Sequence, residues 1–207
     1  MTKELIIKLK QKPKKDPHDA FFPRLARKTD KNSAISDIKY RKSAVSILIF
    51  RKKSKLFSIL IEKNSYDGHH SGQIALPGGK YEIEDKNLLH TAMRETFEEI
   101  GVELSEKDFI CELSPLKIPI SKFEVQPYLF YINEPKIKID QKEVKECFVF
   151  PIEELMDDRI IENVSLEIDG KDCEVPSLKI NNKIVWGATA MILNDLKQRI
   201  KEIDFIQ

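Results

Sequence analysis

Two apolar, β-branched runs, "AVSILIF" beginning at Ala44 and "LFSILIE" beginning at Leu56, are separated only by the turn-like "RKKSK". So short a polar break between two such runs predicts a hairpin of core strands. Any fold for this chain has to be built around that pair. Further on, "GQIAL" reads as a short third strand that stops at Pro77, Gly78 and Gly79. The segments "FEVQPYLFYI", "KECFVF" and "KIVWG" read as later strands.

Two helices interleave with these strands. "NLLHTAMRETFEEI" spaces Leu89, Ala92 or Met93, Thr96 and Ile100 for one buried face. Asp85 stands where an N-cap is expected and Gly101 where a C-cap is expected. The last helix, "TAMILNDLKQRIKEI", places Ile192, Leu196 and Ile200 one turn apart. The strands and helices lack regular βαβ spacing, and no segment repeats. The expected organisation is one α/β domain on a mixed sheet over residues 41–207, preceded by an arm over residues 1–40. The arm reads as a short helix at "ELIIKL", a break at Pro13 and Pro17, and an apolar patch at Phe21, Phe22 and Leu25. Its lysines, with Arg24 and Arg27, could contact an anion, but solvated surface charge is the preferred reading.

The 207 residues carry 35 Lys+Arg against 34 Asp+Glu, a formal net charge of +1. That balance argues against a surface built for nucleic acid but leaves room for a local basic pocket. Cys111, Cys147 and Cys173 form neither a CxxC pair nor an even disulfide framework, which favours reduced thiols and a cytoplasmic protein. No apolar run reaches the roughly 18 residues that span a bilayer, so no membrane partner is expected.

The chemistry concentrates in "RETFEEIG", Arg94 to Gly101. At about 100° per residue, Glu95, Glu98 and Glu99 project within an arc of about 100°, read as facing away from the apolar residues. Glu95 and Glu99 repel across one turn by roughly 0.2–0.5 kcal/mol. The three also lie toward the helix end where the macrodipole disfavours acids. A solvated face is the ordinary explanation for such glutamates. The alternative is a site for a hard divalent cation, Mg²⁺ or Mn²⁺. The neighbours favour the cation: Pro77-Gly78-Gly79 supplies a loop that lets backbone approach closely, and Arg94 can reach back to hold that loop on the helix.

This combination resembles the Nudix hydrolases, whose box reads Gly-x5-Glu-x7-Arg-Glu-U-x-Glu-Glu-x-Gly-U, with U apolar. Here Gly79, Arg94, Glu95, Thr96, Glu98, Glu99, Gly101 and Val102 take those places. Asp85 stands six positions after Gly79, where the box has Glu, but eight residues rather than seven separate it from Arg94, and Thr96 is less apolar than a usual U. The extra loop residue, "HHSGQIALPGGK" from His69 to Lys80, and "VWGATAMIL" downstream are similar to the coenzyme A pyrophosphatase branch.

The resemblance implies a Nudix-type α/β/α sandwich around a mixed β-sheet, with an N-terminal arm and a C-terminal helix. It also implies hydrolysis of a small-molecule diphosphate. In this reading Glu95, Glu98 and Glu99 bind metal, Arg94 is catalytic, and Gly78, Gly79 and Gln73 belong to the substrate loop. Lys63, in "IEKNS", stands where relatives carry arginine and keeps the charge without the fork. By similarity to an "EV" segment, Glu143 joins the catalytic set ahead of Glu146. The base itself stays open among Glu98, Glu99, Glu143 and Glu146. Trp186 reads as a structural residue or an adenine platform. A homodimer would fit many relatives. The expected substrate is coenzyme A or an acyl derivative, with ADP-ribose hydrolysis and non-catalytic nucleotide sensing as the alternatives.

Overall fold

The computed structural model describes residues 9–10, 39–64, 73–168 and 171–204. The readings placed on the rest of the arm, and the first four residues of "HHSGQIALPGGK", lie outside these residues. The expected hairpin is β1 (Arg41–Lys52) and β2 (Lys55–Lys63). Its turn is tighter than the polar break suggested. Lys52 pairs with Lys55, and Lys53 adopts a left-handed φ of 55°. The strands run on into lysines because long aliphatic stems can lie on a sheet while their amines stay in water.

Next come β3 (Ile74–Ala75), β4 (Gly78–Lys80), helix α1 (Leu88–Ile100), β5 (Phe109–Glu112), β6 (Leu116–Ile118), β7 (Phe123–Ile132) and β8 (Val144–Pro151). Together the strands make one eight-stranded sheet in the order β3-β2-β1-β7-β5, with β4 on β1, β6 on β7 and β8 on β2. β1 and β7 are parallel; the other pairings are antiparallel. The sheet is therefore mixed, as the interleaved elements implied.

Alternation along β1 decides what covers each face. Ala44, Leu48 and Phe50 pack with Phe130, Ile132, Ala92 and Ile100, on the side of α1. Ile47 and Ile49 pack with Leu129 and with Ala190, Met191, Leu193 and Leu196, on the side of the last helix, α3 (Gly187–Asp204). An α/β/α sandwich results. Between β8 and α3 lie a short helix α2 (Ile152–Met156) and an antiparallel meander of β9 (Ile161–Ile168), β10 (Lys171–Ile180) and β11 (Lys183–Trp186). Asn181 and Asn182, both left-handed, form the two-residue turn from β10 to β11.

β5, β6, β9, β10 and α2 were not anticipated. β5, β6 and α2 are short. β9 alternates exposed and half-buried residues instead of forming an apolar run, and β10 carries Pro176, which ordinarily argues against a strand.

Buried charge ties α3 to the sheet. Arg199 and Asp195 are buried and paired, Nε to Oδ1 at 2.7 Å. Arg199 Nη1 donates to the Leu9 carbonyl at 3.0 Å, and the Ser114 amide donates to Asp195 Oδ2 at 2.7 Å. Breaking a buried pair strands the surviving charge. Arg199→Met is therefore expected to cost about 3 kcal/mol or more in urea unfolding, with Asp195→Asn in the same chain recovering most of the loss. A single-variant cost below about 1 kcal/mol, the range of an exposed pair, would contradict this.

Candidate active site

Helix α1 is capped two residues later than its sequence suggested. Asn87 is the N-cap, its Oδ1 accepting from the His90 amide at 3.1 Å. Gly101 closes the helix in the left-handed region, φ 68°, as expected. Asp85, released from capping, turns inward to Arg94. Arg94 Nε donates to Asp85 Oδ1 at 2.9 Å and Nη2 to Oδ2 at 3.0 Å. Thr91 Oγ1 and the Glu82 amide also donate to Oδ2, at 2.8 and 3.0 Å. The Arg94 guanidinium beside it, joined by these hydrogen bonds, holds the Asp85 carboxyl down at about 2.

Arg94 spends its other donors on the site. Nη2 reaches back to the Lys80 carbonyl at 3.0 Å, fixing the loop on the helix as expected. Nη1 donates to Glu95 Oε1 at 2.9 Å and to Glu98 Oε2 at 2.8 Å. Five bonds match the five N–H groups of a guanidinium, so the side chain is saturated.

The Gly-Gly segment is a strand rather than a free loop. Gly79 pairs with Ala44 and Gly78 with Val45. A Cβ on Gly78, at φ 152°, would sit 2.3 Å from the Ala44 carbonyl oxygen; one on Gly79 would sit 2.4 Å from the Glu95 carboxylate. Gly78 thus answers a backbone constraint, whereas Gly79 makes room for an acid.

Glu99 departs most from the expected arc. Its side chain is fully buried, on the same side of the helix as Ala92, Thr96 and Ile100. It is held there by the Gly78 amide, which donates to Oε2 at 2.8 Å, and by Lys63 Nζ, 2.9 Å from Oε1. Burial pushes the Glu99 carboxyl above its ordinary range against the pull of Lys63. Burial also raises Glu95, with Arg94 opposing and Glu99 and Glu98 reinforcing. Glu98 is half exposed. Thr96 is accommodated by a polar partner on β1: Thr96 Oγ1, Ser46 Oγ and the Ala92 carbonyl form a closed triangle of 2.7, 2.8 and 3.1 Å contacts.

The structure separates the two later glutamates. Glu143 lies in an exposed turn tied to the end of β2, its carbonyl accepting from the Asn64 amide at 2.9 Å, and its charge reaches Glu99. Glu146 is engaged elsewhere, by Lys183 Nζ at 2.7 Å. The Gln73 carbonyl accepts from the Lys63 amide at 3.1 Å.

Among the described residues, no three Asp, Glu, His or Cys side chains converge as a ready-made ligand cage. Two cations of the protein stand among the acids instead: Arg94 between Glu95 and Glu98, and Lys63 on Glu99. The donor chemistry still fits a hard divalent ion. It offers carboxylate oxygens only, two of them from groups whose burial disfavours unpaired charge.

On the other side of β4 lies a cleft of about 200 Å³ between the sheet and the start of α3. Leu76, Gly78, Lys80, Phe123, Thr189 and Ile192 are among its walls, and Lys63 lies both on it and on Glu99. Trp186 is not among the lining residues. Sequence reasoning missed Lys80 and Phe123, because only the register of β4, β1 and β7 brings them to one face.

Comparison with known proteins agrees with this arrangement. A family profile described as the NUDIX domain matches residues 40–166. Proteins described as uncharacterized Nudix hydrolase NudL, from Yersinia pestis (strain Pestoides F) and Yersinia pseudotuberculosis serotype O:1b (strain IP 31758), are each 30% identical over 163 residues. The match covers 77% of this chain and 80% of each relative. A crystal structure of a MutT/nudix family protein from Enterococcus faecalis shares the fold, with a TM-score of 0.55 at 17% identity. That match covers 87% of this chain and 68% of the other.

The Asp85–Arg94 pair gives a prediction with a fixed sign. Because folding lowers the Asp85 pKa from 3.8 to about 2, the pair's stabilisation is full well above pH 3.8. It fades as pH falls and is absent below about 2. Asp85→Asn should cost about 2 kcal/mol near pH 7 and nothing in strong acid. Urea titrations of both proteins across that range should converge at the acid end. A gap that did not change with pH would sink the assignment.

Proposed function

This chain belongs to the Nudix family, a hydrolase acting on a diphosphate bond, and we propose that its substrate is coenzyme A or an acyl-coenzyme A. The products are adenosine 3′,5′-bisphosphate and the corresponding 4′-phosphopantetheine. One observation carries the substrate reading. Two segments similar to the coenzyme A pyrophosphatase branch, "HHSGQIALPGGK" and "VWGATAMIL", lie far apart in sequence, yet Leu76 and Gly78 of the first and Thr189 and Ile192 of the second line one cleft. That cleft meets the acid cluster at Lys63.

Glu95, Glu98 and Glu99 would hold Mg²⁺ or Mn²⁺. Such an ion supplies positive charge to a diphosphate whose own oxygens repel a nucleophile, and it acidifies water. The remaining work falls to the chain. Arg94, locked by Asp85, keeps Glu95 and Glu98 together and fixes β4 beside them. Gly78 and Gly79 bring backbone close to the acids without a side chain in the way. Lys63 gives the junction between cleft and cluster a charge for the substrate's phosphates. Glu143, on its exposed turn and in no ion pair among the described residues, is the group proposed to take the proton of the attacking water on its carboxylate.

Two measurements check this. Coenzyme A and ADP-ribose offered with Mg²⁺ or Mn²⁺, and products identified by mass, should show preferred cleavage of coenzyme A to the bisphosphate; a strong preference for ADP-ribose overturns the substrate. Glu98→Gln should lower metal-dependent turnover by at least about a hundredfold while its circular dichroism and melting stay native, since Glu98 is half exposed. An undiminished rate in that variant would refute its role as a metal ligand.

A further inference from the structure

At the start of β1 four strands share one register. Ser43 pairs with Lys80 on β4 and Val125 on β7; Arg41 pairs with Phe123, which pairs with Ile118 on β6. Alternation puts these side chains on the α3 face, together with the cleft. Lys42 and Glu124 take the opposite face, where they form an ion pair at 2.8 Å.

Lys42 on that opposite face is paired with a carboxylate, and so is Lys63 on the cleft, with Glu99. Among the described residues, neither the Arg41 guanidinium nor Lys80 Nζ meets a carboxylate. Arg41 is held by other means: its guanidinium lies 4.2 Å from the centre of the Phe123 ring, and Nη2 donates to the Ser121 carbonyl at 3.0 Å. The Lys80 backbone is pinned through its carbonyl by Arg94. Arg41 and the partner of Lys80 on β1 are two residues apart, about 7 Å along the strand. Two long cationic side chains rooted at that spacing can close on one anion. An arginine held by ring stacking and a carbonyl keeps donors oriented at little entropic cost.

The cleft thus has two cationic ends. Lys63 marks the inner end, beside Glu99. Lys80 marks the outer end, where Phe123, Val45, Ile118 and Val125 form an apolar wall, and Arg41 adjoins the cleft by stacking on the Phe123 ring. A diphosphate with no further anionic group would use only the inner end. We propose that Arg41 and Lys80 form a phosphomonoester subsite, which selects nucleoside diphosphate derivatives carrying an additional phosphate on the ribose. With the diphosphate at Lys63 and the nucleoside along the apolar wall, a 3′-phosphate one sugar ring away lies toward Lys80. This subsite deepens the coenzyme A reading and rests on it for the substrate's orientation.

Equilibrium binding tests the subsite without turnover. Titration calorimetry of the full chain with adenosine 3′,5′-bisphosphate and with AMP should show the bisphosphate at least about tenfold tighter, the scale of a charge-assisted contact. Lys80→Gln, which removes a side chain with no packing role, should cut that preference severalfold. Arg41→Gln with Lys80→Gln should abolish it, leaving AMP affinity unchanged; Lys42→Gln, on the opposite face, should change nothing. Equal affinities in the wild type, absence of bisphosphate binding, or a preference that survives the double substitution would each overturn the subsite. Parallel hydrolysis of coenzyme A and dephospho-coenzyme A separates the two readings. If neither is cleaved, the reaction assignment fails and the calorimetry still decides the subsite. If both are cleaved at equal kcat/KM, the reaction stands and the subsite falls.

Discussion

The site is organised around one saturated guanidinium. Arg94 gives two donors to Asp85, one to the Lys80 carbonyl and one each to Glu95 and Glu98. Every other feature of the acid cluster depends on that allocation. Asp85 fixes the plane of the fork, the fork fixes β4 against α1, and β4 brings Gly78 to Glu99 and Gly79 to Glu95. Lysine could not replace it, because a single ammonium cannot present donors to a strand, a loop acid and two helix acids in one plane.

The same allocation keeps an otherwise repulsive cluster compatible with folding. Three carboxylates within five residues, two of them raised by burial, would disfavour the compact state if left alone. Arg94 and Lys63 supply opposite charge at hydrogen-bond range. The site therefore forms in the chain by itself, with protein cations among the carboxylates proposed to hold metal. In the proposed function, a metal would exchange counter-charge with Arg94 and Lys63 rather than create the site.

Much of this was legible in the sequence because it is local. The spacing of "RETFEEIG", the Gly101 cap, the hairpin runs and the register of Ile192 and Leu196 on α3 follow from periodicity and residue type. What was illegible depended on partners distant in sequence. Thr96 looked out of place in an apolar position until Ser46, 50 residues away, supplied its partner. Asp85 looked like a helix cap because its neighbours permit one; a bidentate bond to Arg94 outweighs that local use. Glu99 read as facing away from the apolar residues because periodicity records angles and not what stands opposite. Lys63 and the Gly78 amide make burial tolerable at that angle.

By itself, the sequence determined the chemistry that the chain can offer: which residues carry charge, where backbone must approach closely, and which runs must be buried. It did so because residue type and helical spacing are properties of adjacent positions. The tertiary structure alone decided which of those groups meet. It assigned Gly79 to space and Gly78 to conformation, set Glu143 on an exposed turn while Lys183 engaged Glu146, and joined Leu76 to Thr189 in one cleft. Those outcomes depend on the parallel pairing of β1 with β7 and the antiparallel docking of β4, long-range registers that a local pattern does not encode.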